Sequence, residues 1–114
     1  MTNLELAEAM LKGLQSPDVI ESVVHYIDST SNPDFCMACA LGSALIGKYD
    51  GDFRMAEDLY DNHKKQEEID QIDILADMLD ISPFLAEEVE SRHLQGKPIK
   101  EIAAWLKGCG AVTD

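Results

Sequence analysis

The stretch PDFCMACALGSALI, from Pro33 to Ile46, decides the fold because it is long enough for a helix and has no polar face. Charged residues are absent from it after Asp34. A helix that is apolar all round belongs in the interior of a protein. The stretch therefore predicts a buried central helix over about 33–46. Its small residues would let neighbouring helices pack closely against it; they are Ala38, Ala40, Gly42, Ser43 and Ala44.

Prolines and capping residues divide the rest of the chain into further helices. Three of the four prolines follow a Ser or an Asn, as in Ser82-Pro83, and proline is favoured at the first helical position. Thr2 and Glu5 have the spacing of a capping box, which predicts a helix at the N-terminus. A second predicted helix carries a 3.6-residue apolar stripe made of Val19, Ile20, Val23, Val24 and Ile27.

The boundaries of these helices complete the predicted architecture. Gly47 is expected to end the central helix. The apolar stripe changes phase between Phe53 and Leu79, which predicts two helices with a break at about 62–66. No segment alternates with period two, so no strand is predicted. The expected fold is all-α, a compact single domain over 1–114 with six to seven short helices around the central one.

The composition excludes several classes of function. The chain has 114 residues, with 22 Asp and Glu against 9 Lys and Arg, and a formal net charge of −13. This charge argues against direct binding of nucleic acid or anionic lipid, because a phosphate-binding face needs an excess of Lys and Arg. No stretch reaches the ~18–20 apolar residues of a membrane span. The N-terminus lacks the basic start of a signal peptide, so the three cysteines are expected to be reduced thiols in the cytoplasm.

Acidic residues concentrate between residues 50 and 90, where 14 Asp and Glu stand against 3 Lys and Arg. Between residues 50 and 80 they recur about once per ~4 Å of helix, close to the ~3.4 Å between phosphates along one DNA strand. This face could imitate a nucleic-acid backbone toward a basic protein. An ordinary solvated face that keeps the protein in solution is the alternative. The candidate partner-binding residues are Asp70, Asp73, Asp77 and Asp80, which share one helical face, together with Glu57, Asp58 and Asp61.

Cys36 and Cys39 form a CxxC motif inside the predicted central helix. A spacing of three puts both sulfurs on one helical face, where they could act as a redox pair or as half of a metal site. The alternative is that both cysteines fill the core, since free Cys is among the residue types most often buried. No metal site is predicted, because the other candidate ligands have no partner at ligand spacing; they are Cys109, His25, His63 and His93.

A CxxC motif on a helix resembles the alkylhydroperoxidase D-like proteins, an all-α family. In that family a histidine four residues after the second cysteine helps to deprotonate the thiol. The resemblance covers Cys36, Cys39 and their helical context, and Ser43 stands where the histidine falls. It implies a thiol peroxidase or a disulfide reductase that uses Cys36 and Cys39.

Two further segments are CALGSAL at 39–45 and IKEIAAWL at 99–106. Together they resemble a family of small uncharacterised phage and bacterial proteins, which carry a CALGAAL-type segment and a closing EIAxWL-type helix. Arg92 and His93 stand where many of those proteins have an Asn-Asp pair. The resemblance implies a compact helical fold and a phage or mobile-element setting.

Two functions from different classes follow. The first is a non-enzymatic interaction module whose acidic face binds and inhibits or regulates a basic nucleic-acid-handling protein, as a phage-encoded inhibitor of a host defence nuclease would. The second is a thiol-dependent redox enzyme using Cys36 and Cys39. No cofactor is predicted, since the sequence has no glycine-rich phosphate loop. The second helix and Trp105 each offer an apolar seam through which a homodimer could form.

Overall fold

The computed structural model of the chain describes residues 1–16, 18–22, 27–28, 36–66 and 71–113. The Cα radius of gyration is 12.8 Å, close to the ~13 Å of a compact domain of about 100 residues. The fold is therefore the predicted compact and mostly helical single domain. In the described ranges the elements are α1 (Asn3–Gln15), β1 (Val19–Glu21), β2 (Ile27–Asp28), β3 (Cys36–Ala38), α2 (Ala40–Lys48), α3 (Phe53–Gln66), α4 (Gln71–Leu79), α5 (Pro83–Leu94) and α6 (Ile99–Thr113).

Local capping signals start α1 and α5 where the sequence predicts. The Thr2 hydroxyl accepts a hydrogen bond of 3.1 Å from the Glu5 N–H, and the Thr2 N–H donates one of 2.9 Å to the Glu5 carboxylate. The bond from the Thr2 backbone also lowers the pKa of Glu5. At α5 the Ser82 hydroxyl accepts from the Leu85 N–H at 3.1 Å, and Pro83 occupies the first turn. Both predicted helix starts are confirmed.

The prediction that the chain contains no strand is wrong. β3 lies between the other two strands, parallel to β1 and antiparallel to β2. Where the structure describes it, the segment predicted as the second helix forms β1 and β2. Its apolar residues Val19, Ile20 and Ile27 are β-branched, which favours a strand over a helix. These residues form strands rather than a helix because they pair with β3, which is distant from β1 in the sequence.

α2 is the buried central helix, and it begins at Ala40 rather than at Pro33 as predicted. The chain before it is extended in β3, and Cys39 caps the helix with its sulfur, which accepts from the Gly42 N–H at 3.3 Å. Every residue from Ala40 to Gly47 is buried, which confirms a helix without a polar face. Gly47 lies inside this helix and does not end it, contrary to the prediction.

α1 and α2 cross with their backbones in contact, as the small residues of α2 predict. A Cβ atom built on Gly47 would lie 2.7 Å from the carbonyl carbon of Ala9 in α1. One built on Gly13 would lie 2.8 Å from the carbonyl carbon of Ser43 in α2. Ordinary contacts between carbon atoms are about 3.5–4.0 Å. The two glycines therefore permit a crossing that any side chain would prevent.

The acidic half of the chain packs around this pair of helices. The prediction of a break at about 62–66 is wrong, because these residues are helical as part of α3. The described part of the chain resumes with α4 at Gln71. α3 packs on α4, and α4 packs on α2 and α5. No helix in the described ranges is long and apolar enough to cross a membrane.

Candidate functional site

α3 and α4 carry the predicted partner-binding residues. Asp58, Asp61, Asp77 and Asp80 are exposed on them, and Asp70 lies outside the described residues. Because the two helices pack on each other, these carboxylates belong to one region of the molecule. We define the acidic surface as Glu57, Asp58, Asp61, Asp73, Asp77 and Asp80; the first and fourth of these are half-buried.

On α4 the acidic residues and the core residues occupy different sides of the helix. Asp73 and Asp77 are separated by one helical turn, about 6 Å along the axis. The intervening Ile74 and Leu75 are buried, and so is Met78. Asp73 and Asp77 therefore lie on the same side of α4, whereas Asp80 follows the end of the helix and does not continue this helical face, contrary to the prediction.

The C-terminal end of α4 combines negative charge with a backbone conformation that favours glycine. Asp80 has a φ of 56°. Its N–H donates to the Asp77 carbonyl at 3.2 Å, and the Ile81 N–H donates to the Ala76 carbonyl at 3.0 Å. These two bonds form a Schellman motif, in which the left-handed residue is usually Gly. Asp77 and Asp80 thus lie at the end of the helix where the dipole disfavours anions.

Partners for these charges are few. The Asp80 side chain is 96% exposed, and a carboxylate oxygen lies 3.7 Å from the terminal ammonium of Met1. Lys48 of α2 reaches the same end of α4, but its ammonium donates to the Met78 carbonyl at 2.5 Å. Asp58, Asp61, Asp73 and Asp77 form no ion pair with any residue that the structure describes.

The two cysteines of the CxxC motif lie on different elements, so the prediction that they share a helical face is wrong. Cys36 belongs to β3, and Cys39 is the capping residue of α2. Both are buried, and at most 1% of either residue is exposed. The alternative prediction, that both are core residues, is confirmed.

Glu90 is a buried carboxylate at the N-terminus of α2, next to Cys39. Only 4% of the residue is exposed, and Oε1 accepts from the Leu41 N–H at 3.1 Å. This N–H belongs to the first turn of α2, where amides lack partners within the helix. Burial raises the pKa of the Cys39 thiol well above its ordinary value, and the Glu90 charge raises it further. Cys39 is therefore a protonated thiol at neutral pH, which argues against its use as a nucleophile.

His93 is a second buried polar group on α5. It is 1% exposed, and its Nε2 lies 3.0 Å from a carboxylate oxygen of Glu21 in β1. The other Glu21 oxygen accepts from the Ile99 N–H at 3.4 Å. His93 Nδ1 has no hydrogen-bond partner among the described residues. Glu21 therefore connects β1, the end of α5 and the start of α6.

Glu90 and His93 were not identified as buried from the sequence, although a signal exists. With Ala86 and Val89 they occupy the spacing i, i+3, i+4, i+7, and all four are buried. This is the spacing of a core-facing helical stripe. Two polar residues inside such a stripe indicate buried polar contacts.

Two of the other candidate metal ligands, His63 and His93, lie in the described part of the chain. Within the described part of the chain, no group of three His, Cys, Asp or Glu side chains could hold a metal ion. His63 Nδ1 lies 3.0 Å from the Leu59 carbonyl, within its own helix. His25 and the Cys109 side chain lie outside the described residues.

Comparison of the chain with protein-family models, with curated proteins and with solved structures finds no match. The candidate site is therefore interpreted from the residues of this chain alone.

Proposed function

We propose that the protein is a non-enzymatic interaction module whose acidic surface binds a basic, nucleic-acid-handling protein and inhibits or regulates it. The observation that carries the proposal is the pair of aspartates at the C-terminal end of α4. Asp77 and Asp80 lie where the helix dipole opposes negative charge, and Asp80 adopts a left-handed conformation. Local stability would favour Gly or Asn at position 80.

Residues that oppose local stability are typical of functional surfaces. An anion at the wrong end of a helix is unfavourable by about 0.3–1 kcal/mol. Functional sites are among the places where natural proteins depart from such local rules. Asp58 and Asp61 on α3 add charge without a stabilising ion pair among the described residues. A partner rich in Lys and Arg would supply the missing counter-charges.

The spacing of the carboxylates supports a partner that handles nucleic acid. Asp73 and Asp77 lie about 6 Å apart along the axis of α4, and Asp80 follows just beyond the end of this helix. Phosphates along one DNA strand recur every ~3.4 Å, so the two carboxylates are spaced within about a factor of two of the phosphates. A phage-encoded inhibitor acting in the host cytoplasm would have this chemistry. Association would be steered by charge and would slow as salt screens it.

The test is capture of a partner from bacterial lysate by the tagged protein, with elution by increasing salt and identification by mass spectrometry. The decisive variant is Asp73→Asn/Asp77→Asn/Asp80→Asn. The control, Glu8→Gln/Asp18→Gln/Glu101→Gln, changes the net charge equally at three other exposed positions. We expect the wild type and the control to retain one basic protein and the acidic-surface variant to lose it. Retention by all three proteins would refute the proposal.

A further inference from the structure

An apolar groove lies beside the acidic surface, between the start of α1, the start of α5 and the middle of α6. Its volume of about 370 Å³ falls within the ~300–1,000 Å³ range of ligand pockets. Phe84 at its edge is 79% exposed, more than any other large apolar residue of the described part. The groove is lined by Asn3, Ser82, Phe84, Leu85, Glu88 and Trp105.

The walls of the groove are held in place by polar contacts. Phe84 belongs to the first turn of α5, which Ser82 caps. The Trp105 ring is covered on one face by the Arg92 guanidinium, 3.8 Å from the ring centroid. Glu88 holds this guanidinium through a contact of 3.2 Å. Such preorganisation lowers the entropy lost when an interface forms.

The groove is continuous with the acidic surface. A second cleft of about 340 Å³ adjoins it, and the two share Asn3, Ser82 and Leu85 as lining residues. This second cleft contains Asp80, the last residue of the acidic surface, together with Glu5. Two cations near these clefts form ion pairs within the chain: the Met1 ammonium with Asp80 at 3.7 Å and Arg92 with Glu88 at 3.2 Å.

We propose that the groove binds large apolar side chains from a cationic segment of the partner protein, whose Lys and Arg residues contact the acidic surface. This inference rests on the proposed function and adds the apolar part of the recognition. Charge complementarity selects this occupant, because the bordering carboxylates of Glu5, Asp80 and Glu88 outnumber the two neighbouring cations, the Met1 ammonium and the Arg92 guanidinium. A second copy of the chain is disfavoured, since each copy carries a net charge of −13.

Trp105 is the single tryptophan of the chain and reports directly on the groove. The probe is a synthetic amphipathic helical peptide built from leucine and lysine. Matched peptides replace lysine by glutamate, or leucine by serine. We expect saturable changes in Trp105 fluorescence with the leucine–lysine peptide and much weaker binding of the other two. Phe84→Ala should weaken binding about tenfold or more, as loss of an aromatic anchor usually does.

Leu94→Ala is the matched control, since Leu94 is 65% exposed at the opposite end of the same helix. Its affinity for the peptide should equal that of the wild type, with unchanged circular dichroism for both variants. The proposed role of the groove would be refuted if Phe84→Ala bound the leucine–lysine peptide as the wild type does, or if the serine–lysine peptide bound equally well. The proposed role of the acidic surface would not be affected by either result. If Phe84→Ala loses affinity for the leucine–lysine peptide while the Asp73→Asn/Asp77→Asn/Asp80→Asn variant keeps it, the proposed role of the acidic surface would be contradicted instead. If the wild type sediments as a dimer and Phe84→Ala sediments as a monomer, the groove binds a second copy of the chain rather than the proposed cationic segment.

Discussion

The crossing of α1 and α2 makes a sharp prediction about two glycines. Gly47→Ala would put a methyl group 2.7 Å from the carbonyl carbon of Ala9, with the carbonyl oxygen closer still. Gly13→Ala would meet the backbone of Ser43 in the same way. Since both obstacles are main-chain atoms of a packed helix, neither can rotate aside as a side chain would. The two helices must separate instead.

The magnitude follows from the distances. Restoring an ordinary carbon contact of about 3.5 Å requires a shift of at least about 0.8 Å between α1 and α2, and relieving the closer carbonyl oxygen requires more. Overpacking of this kind costs about 1–3 kcal/mol, occasionally more. The gain from replacing Gly by Ala in a helix, about 1 kcal/mol, offsets part of it. Because the obstacles are main-chain atoms, we expect an overpacking cost at the upper end of this range, about 3 kcal/mol. Gly47→Ala and Gly13→Ala should then each lower the free energy of unfolding by about 2 kcal/mol.

Gly108→Ala is the matched control, because Gly108 lies inside α6 and an added Cβ would meet nothing within 4 Å. This variant should gain about 0.5–1 kcal/mol from helix propensity. The assay is urea unfolding followed by circular dichroism at 222 nm. With m-values of about 1–3 kcal/mol/M for small proteins, the midpoints of Gly47→Ala and Gly108→Ala should differ by about 1 M or more. Equal midpoints would refute the close crossing.

Three further predictions concern Asp80 and the cysteines. Asp80→Gly should raise the free energy of unfolding by about 0.5–1 kcal/mol, because glycine accepts the left-handed conformation without strain; a less stable variant in urea unfolding would contradict this. In a Cys109→Ser background, Cys36 and Cys39 should react with iodoacetamide only after denaturant is added, and rapid labelling of the native protein would restore the thiol-enzyme alternative. The raised pKa of Cys39 keeps the native thiol protonated, so its contribution to stability is complete below the unfolded pKa of about 8.5 and is lost as the pH rises toward the folded value. Above pH ~8.5 the free energy of unfolding of the wild type should therefore fall by up to about 1.4 kcal/mol per pH unit relative to that of Cys39→Ser. The serine keeps the helix cap but does not titrate. Parallel profiles of unfolding free energy against pH for the two proteins would exclude this linkage.

What the sequence predicts well depends on residues close together in the chain. The Thr2–Glu5 capping box and the Ser82-Pro83 helix start each involve residues within four positions, and both appear as expected. The burial of α2 follows from its composition alone. In contrast, Val19 and Ile20 fit the spacing of a helical stripe although they form a strand. Their pairing with Cys36 and Met37, seventeen residues away, is a tertiary contact that local patterns do not contain.

The candidate site divides in the same way. Exposure of Asp77 and Asp80 could be predicted from helical spacing, because their neighbours Ile74 and Leu75 mark the core side. Glu90 belonged by position to the same run of acids, and only the tertiary fold shows that it binds the Leu41 N–H. The groove at Phe84 could not be predicted, since three helices from different parts of the chain form it.

The acids between residues 50 and 90 therefore differ in what the fold does with them. Asp50 bonds Lys12 at 2.6 Å, which lowers the pKa of Asp50, and Asp52 accepts from the Met55 N–H at the start of α3. Glu88 and Glu90 likewise have partners within the chain. Four of the predicted partner-binding residues have no side-chain partner in the described part of the structure: Asp58, Asp61, Asp73 and Asp77. Repulsion between like charges one turn apart is unfavourable by about 0.2–0.5 kcal/mol per pair. Among the described residues the fold supplies no counter-charge to these four carboxylates, although Asp73 lies in the first turn of α4, where the helix dipole favours an anion. The basic partner that we propose would supply the missing counter-charges.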